Sequence, residues 1–294
     1  MTDIPAHLLD PTRRHDIVLL FDVHDGNPNG DPDAGNHPRI DTETYHGLVT
    51  DVALKRKIRD TIPLLRPDDP RYKIFVEADI ALNSNIERGF TGTAVKPTQR
   101  PTPDERQKVQ KWMCDNFADI RLFGGVLSTG DARAGHIRGP LQFTFGRSVS
   151  PVHPVDHAIT RVTQTKQADI DKGEQTEMGS KWTVHYGLYR AHAFYSAARG
   201  KQTGVTSDDL HTLWTVLQHM FDHDRSATRG EMATRGLYVF THDNAFGKAP
   251  AASLFDRITI EPLSDEPPRA FNHYKVNLDL AGLPSGVNFE SLIG

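Results

Sequence analysis

The segment Asp16-Ile-Val-Leu-Leu-Phe-Asp-Val23 constrains this chain more than any other. Residues 17–21 are all β-branched, aliphatic or aromatic, and Gly, Asn and Pro follow closely, which predicts a mostly buried strand, central in a sheet. The same five residues form the longest uncharged apolar run. That falls far short of the roughly 20 residues needed to cross a bilayer, and residues 1–10 lack the basic start and apolar stretch of an export signal. A chain of 294 residues can bury a sizeable core without disulfides or a structural metal. Its one cysteine, Cys114, has no partner for a disulfide and reads as a small buried hydrophobe in a reducing cytoplasm.

The loop after this strand, Asp25-Gly-Asn-Pro-Asn-Gly-Asp-Pro-Asp-Ala-Gly35, mixes residues that permit positive φ, cap their own backbone or forbid helix. It predicts a shaped turn. Thr50 is placed to cap a helix through Ile62, with Ala53 or Leu54, Ile58 and Ile62 facing inward and Pro63 ending it. Lys55 and Arg59, four apart, share a neighbouring face of that helix. The pattern then predicts a strand at 72–76, a polar projection, and a helix over 104–120 built on Val109, Met113, Phe117 and Ile120. A strand over 137–149 leads into a Pro-, His- and Thr-rich excursion at 150–179, and 182–195 returns to strand. Ser207 caps a helix through Phe221, and residues 236–241 and 257–260 are the last expected strands. This irregular alternation predicts the α+β class, a small sheet covered by helices on one side and carrying two insertions.

A net charge of −4 and a pI near 6.4 exclude a protein that coats nucleic acid through overall positive charge. The charge is nevertheless uneven. Residues 1–50 hold nine acidic and three basic side chains, 51–60 hold two acidic and four basic, and 121–147 hold one acidic and four basic. Lys55, Arg56, Lys57 and Arg59 stand on the amphipathic helix; Arg121 precedes Gly124-Gly125; Arg133 and Arg138 follow; and Arg225, Ser226, Arg229 and Arg235 form a last cluster. Arginine forks and exposed glycine backbone suit phosphate oxygens. Phe143, Phe145, Tyr186 and Tyr189 offer strand aromatics for base stacking, about half of them expected in the core.

Metal chemistry has a weaker footing. Asp25, Asn27, Asn29 and Gly30 match the start of a calcium loop, but Asn36 stands where a bidentate Glu belongs and Pro occupies 28 and 32. His219 and His223 have ligand spacing beside Asp222 and Asp224, without an HExxH motif. No nucleophile elbow or phosphate-loop lysine is present. Binding is therefore the leading class. The alternative is a metal-dependent nuclease using the Asp25 loop or His219 and His223, and a third reading is a filament scaffold without RNA.

Two blocks carry a resemblance: Leu-Leu-Phe-Asp-Val-His-Asp-Gly-Asn-Pro-Asn-Gly-Asp-Pro-Asp-Ala-Gly-Asn-His-Pro-Arg at 19–39 and Leu-Val-Thr-Asp-Val-Ala-Leu-Lys-Arg-Lys-Ile-Arg at 48–59. They resemble the Cas-seven family of CRISPR interference complexes, most nearly its type I-C Cascade branch. Asp-Ile-Arg-Leu-Phe-Gly-Gly-Val-Leu at 119–127, with 139–147, 157–160, 178–181 and 225–241, extends the similarity over nearly the whole chain. The resemblance implies a single RRM-like (ferredoxin-like) palm over 1–294, with fingers at about 71–103 and a thumb at about 150–179. It implies a crRNA-binding backbone subunit with no catalysis and no cofactor, many copies winding along one CRISPR RNA whose bases pair with target DNA. Implied partners are the five-prime-handle-binding and large subunits and a recruited helicase-nuclease. The expected RNA-binding residues are Asn27, Asn29, Lys55, Arg56, Arg59, Arg121, Gly124, Gly125, Arg133, Arg138, Arg225, Ser226, Arg229 and Arg235.

Overall fold

The computed structural model describes residues 4–173 and 176–294; the first three residues of the expected tail and two of the expected thumb lie outside them. The apolar run forms the middle of β1 (His15–Gly26), and the structure surrounds it on every side. Along its edges β1 pairs antiparallel with β10 (Glu177–Tyr195) and β11 (Glu231–His242). Beyond β11 lies β14 (Val287–Ile293). The far edge of β10 takes β7 (Leu141–Phe143), β8 (Gly146–Pro151) and β9 (Pro154–Arg161), and β4 (His46–Val49) pairs with β8. Small two-stranded pieces complete the β-structure: β2 (Gly30–Asp31) with β3 (His37–Pro38), β5 (Gly124–Leu127) with β6 (Gly135–Arg138), and β12 (Ile258–Pro262) with β13 (Tyr274–Leu278).

Both faces of β1 are covered, which is why its sequence does not alternate. Ile17, Leu19, Phe21 and Val23 point to one face, where they share a core with Leu54, Ile58 and Ile62 of α1 (Asp51–Leu65) and Leu213, Leu217 and Phe221 of α7 (Ser207–His223). Val18 and Leu20 point to the other. There they meet Leu188, Tyr238 and Phe240, under Leu254 and Phe255 of α8 (Ala251–Phe255), Ile258 and Tyr274. The expectation of helices on one side holds for α1 and α7, but the C-terminal segment closes the opposite face. A third core joins α2 (Leu82–Gly92), α3 (Pro103–Asn116), α4 (Ala118–Phe123) and the β5–β6 ribbon through Ile86, Phe90, Val109, Met113, Phe117, Ile120 and Leu127. Cys114 is buried with this cluster, as expected of a small hydrophobe.

Several boundaries differ from the sequence expectation. Pro63 does not end α1, which runs to Leu65 and still closes with the Arg66 N–H on the Ile62 carbonyl. Residues 72–76 are not a strand, because the Phe75 and Val76 N–H groups donate to the carboxylate of Asp119 instead of to a neighbouring strand. The helix expected over 104–120 breaks at Phe117, which adopts φ −116° and ψ 111° where it bridges to Lys73. The strand expected over 137–149 is three strands, β6, β7 and β8. The cap of α7 is Thr206, not Ser207: Thr206 and Asp209 exchange hydrogen bonds as a capping box. The excursion at 150–179 is an antiparallel arm of β9 against the start of β10, with α5 (Gln167–Asp171) at its far end. After β10 the chain turns through α6 (Ala197–Thr203) into α7.

His15 packs against Tyr195 and Trp214, with Nδ1 on the Thr241 hydroxyl. Burial pushes its pKa down to about 3, and burial together with the Arg190 charge pushes His192 down to about 4. Each is neutral in the fold yet protonates near 6.5 when unfolded. Their stabilisation is complete above that pH and declines toward the folded values at about 1.4 kcal/mol per pH unit per histidine. Denaturant unfolding followed from neutral pH to pH about 4.5 is expected to show this decline, and His15→Gln to remove about half of it.

Candidate nucleic-acid interface

The first turns of α1 are the meeting point of the separate basic stretches. Thr50 caps the helix through Ala53, and Asn29 Oδ1 accepts from both the Thr50 N–H (2.9 Å) and its hydroxyl (3.0 Å). The neighbouring Asn27 N–H donates to the Thr228 carbonyl at 2.8 Å, and its Nδ2 to the Asn36 carbonyl at 2.7 Å. Asn27 Oδ1 remains buried with no partner. A Cβ on Gly26 would lie 1.9 Å from the Arg229 carbonyl oxygen, so the Asp25 loop and the 225–230 loop touch through bare backbone. The two asparagines thus join the Asp25 loop to α1 and to the last basic cluster.

On one flank of α1, Lys55 and Arg59 lean over the ring of Phe123, at 5.7 and 5.3 Å from its centroid. Lys55 Nζ bonds Asp51 (3.0 Å) and Gln142 Oε1 (3.2 Å), while Arg59 Nε bonds buried Asp119 at 2.9 Å. Gln142 in turn donates to the carbonyls of Phe123 and Gly139. Gly124 has φ +75°, and a Cβ there would sit 2.2 Å from the Ile137 carbonyl oxygen. That glycine is demanded by the crossing of the chain's own strands. Gly125 follows on the ribbon, and exposed Arg138 is the register partner of Gly124.

The opposite flank carries the 225–229 loop. Arg229 Nε is ion-paired with Asp224 at 3.1 Å, Arg225 is half exposed at 4.0 Å from Asp222, and the Arg229 N–H donates to Ser226 Oγ. Arg235 bonds Asp22 at 2.8 Å and shares a surface depression with Arg225. Burial raises the pKa of Asp22, against the lowering effect of Arg235.

The structure therefore groups the candidates in two sets against α1: Lys55, Arg59, Gly124 and Gly125 on one flank, with Arg138 adjoining, and Asn27, Asn29, Arg225, Ser226 and Arg229 on the other, with Arg235 adjoining. Arg56 faces solvent, paired with Asp60, and Arg133 lies at the distal turn of the ribbon, bonded to the Gly130 carbonyl. Arg121 is a correction. It is 0% exposed, bonds Asp209 at 2.6 Å, and donates to the carbonyls of Arg71 and Cys114. Burial raises the Asp209 carboxyl, but the Arg121 charge and hydrogen bonds outweigh it and hold the pKa low. Such a guanidinium braces α3, α4 and α7 and cannot reach a phosphate.

The aromatic expectation is corrected in part. Tyr189 stacks on Phe21 in the core, Tyr186 donates its hydroxyl to Asp22, and Phe143 is buried, which leaves Phe145, 53% exposed. In the Asp25 loop, His24 and His185 both lean on Asp25, at 3.1 and 3.2 Å; His219 pairs with Asp222. Among the described residues no group of three His, Cys, Asp or Glu side chains is placed to hold a metal ion. The sequence reading assigned no cation-orienting role to Phe123, Gln142, Asp119 or Asp224. Asp119 and Gln142 meet Arg59 and Lys55 across 60 and 87 residues and Asp224 meets Lys57 across 167, separations at which spacing marks nothing.

A family model described as CRISPR-associated protein Cas7 matches residues 13–279. The chain belongs to this family. The CRISPR-associated protein Cas7 of Haloferax volcanii is 23% identical over 220 residues, covering 69% of this chain and 62% of that relative. The matched part thus spans less than two thirds of the relative's length. Among solved structures, a chain of a CRISPR RNA-guided surveillance complex, pre-nicking, aligns over 77% of this chain and 78% of its own length with TM-score 0.49 and 13% identity. A chain of the type III-B Cmr-beta complex bound to cognate target RNA aligns over 77% and 61%, with TM-score 0.41 and 10% identity. The blocks at 19–39 and 48–59 lie within the matched span and build the junction of the Asp25 loop with α1.

Replacing Arg121 by Met leaves Asp209 ionised and buried with half of its support. The variant is expected to lose about 3–5 kcal/mol of unfolding free energy in urea. Replacing exposed Arg133 by Met is expected to change it by less than about 0.5 kcal/mol.

Proposed function

We propose that this Cas7-family chain is a crRNA-binding backbone subunit of a CRISPR surveillance complex, in the type I-C Cascade form, holding its guide without cutting it. Copies stack along one CRISPR RNA in the cytoplasm, beside the five-prime-handle-binding and large subunits. The guide bases are left to pair with target DNA, and the loaded complex recruits a helicase-nuclease. Family membership supports the backbone role. The observation that carries the reading is that α1 has basic groups on both flanks, Lys55 and Arg59 over the Phe123 ring on one and the 225–229 loop, joined to the Asp25 loop, on the other. Such cations suit phosphate oxygens and carry no base code.

The palm in this proposal is RRM-like. The order β11-β1-β10-β8, with the path β1, α1, β8, β10, α7, β11, supports it as a split β-α-β-β-α-β arrangement. The fingers correspond to the lobe around the third core, which runs on past 103 to Arg138, and the thumb to the β9–β10 arm. Exposed apolar side chains on that arm, Ile159 and Met178, support contact with a neighbouring copy.

Purified from cells that transcribe a CRISPR array, the chain is expected to carry RNA of defined length and to show no chelator-sensitive cleavage. Cleavage that needs a divalent metal and is lost in Asp25→Ala would replace this reading by the nuclease alternative, and assembly unaffected by exhaustive ribonuclease would favour a scaffold. Lys55→Gln with Arg225→Gln avoids the buried Asp119 that Arg59 supports. This pair is expected to flatten the plot of log Kd against log salt by about one for each phosphate contact removed.

A further inference from the structure

Lys57 is the member of the α1 basic cluster that solvent does not reach. It is 1% exposed, its ammonium lies 5.5 Å from the centroid of the Phe221 ring, and its charged partner is Asp224. Burial lowers its pKa, and the nearby Arg229 charge pushes the same way, against the hydrogen bond and charge of Asp224. A buried ammonium at this depth is a costly element unless it does something for its partner.

Asp224 has two cations. Lys57 takes it from inside the fold, and Arg229, 32% exposed on its side chain, takes it from the open side at 3.1 Å. A carboxylate has about four acceptor positions, so both bonds are compatible. Were Arg229 its sole partner, moving that guanidinium to a phosphate would strand a largely buried carboxylate, and this penalty would offset the new bond to phosphate. With Lys57 behind it, the carboxylate stays paired whichever partner Arg229 has.

We propose that Lys57 is a positioning residue, a buried counter-ion to Asp224 that leaves Arg229 free to exchange the carboxylate for an RNA phosphate. The inference rests on the 225–229 loop being guide-binding. The same construction recurs beside it. Asp22 accepts from the Tyr186 hydroxyl inside (3.0 Å) and from Arg235 outside (2.8 Å). Asp119 accepts from the Phe75 and Val76 N–H groups inside and from Arg59 on the α1 flank. Three carboxylates behind the basic face thus each keep an internal partner, and for Asp22 and Asp224 the opposing cation, Arg235 or Arg229, is open enough to solvent to be exchanged.

The test is binding of a fluorescein-labelled single-stranded RNA of mixed sequence to the full chain, by anisotropy, with melting temperatures alongside. Arg229→Gln is expected to weaken binding about tenfold, the value of one charge-assisted contact. Lys57→Met, which keeps the buried volume, is expected to weaken it by a similar factor although RNA cannot touch that position. Adding Asp224→Asn to Lys57→Met is expected to bring binding back to within about twofold of wild type, because no carboxylate remains to lock Arg229. A Lys57→Met chain that binds like wild type while Arg229→Gln is weak, or a double variant as weak as Lys57→Met alone, overturns the inference; a purely structural role for Lys57 predicts the second outcome. Arg229→Gln binding like wild type would instead remove the guide-binding reading of the loop. Should Lys57→Met fail to fold, the double variant alone decides: it must bind within about twofold of wild type and lose about tenfold when Arg229→Gln is added.

Discussion

Complete enclosure of β1 is the constraint on which the rest of this molecule depends. Nine consecutive residues of the strand, 15–23, are buried, because α1 and α7 cover one face of the sheet and the C-terminal segment from α8 to β13 covers the other. A sheet that has given both faces to core packing has none left for a ligand. Any recognition surface is thereby displaced to the rim, where strand ends, helix starts and loops meet. The junction of the Asp25 loop, the start of α1, the Phe123–Gly124 turn and the 225–229 loop is such a rim.

The chemistry of that rim follows from burial as well. The chain carries net negative charge, yet the carboxylates nearest the junction, Asp22, Asp119 and Asp224, are each bonded from within the fold. For Asp224 the inner partner is itself a cation, Lys57, so the carboxylate presents little field to an approaching polyanion while Arg229 in front is partly exposed. An acidic protein can therefore offer a locally basic path.

Much of the fold was legible in the chain because it is written in local rules. The apolar run of β1, Thr50 as a cap, and the inward spacing of Leu54, Ile58 and Ile62 all follow from neighbours a few residues apart. The failures share one cause. The strand expected at 72–76 and the continuous helix over 104–120 were each undone by a partner far off in sequence, Asp119 in the first case and the Lys73–Phe117 bridge in the second. Arg121 illustrates the same limit in the site: beside two glycines it reads as a phosphate fork, and Asp209, 88 residues away, turns it into a buried brace.

The sequence by itself determined the class of the fold, the shaped loop after β1, the helix that follows it and the residue types of the basic clusters, since these depend on periodicity, capping and side-chain chemistry within a few turns of chain. Which cations face outward, which carboxylates stand behind them, and that Lys57 and Arg121 are interior while Arg225 is open were decided only by the tertiary structure. Burial and the long-range ion pairs are properties of groups brought together from distant segments, and Lys57 and Arg121 carry no local mark of Asp224 and Asp209, the carboxylates they meet.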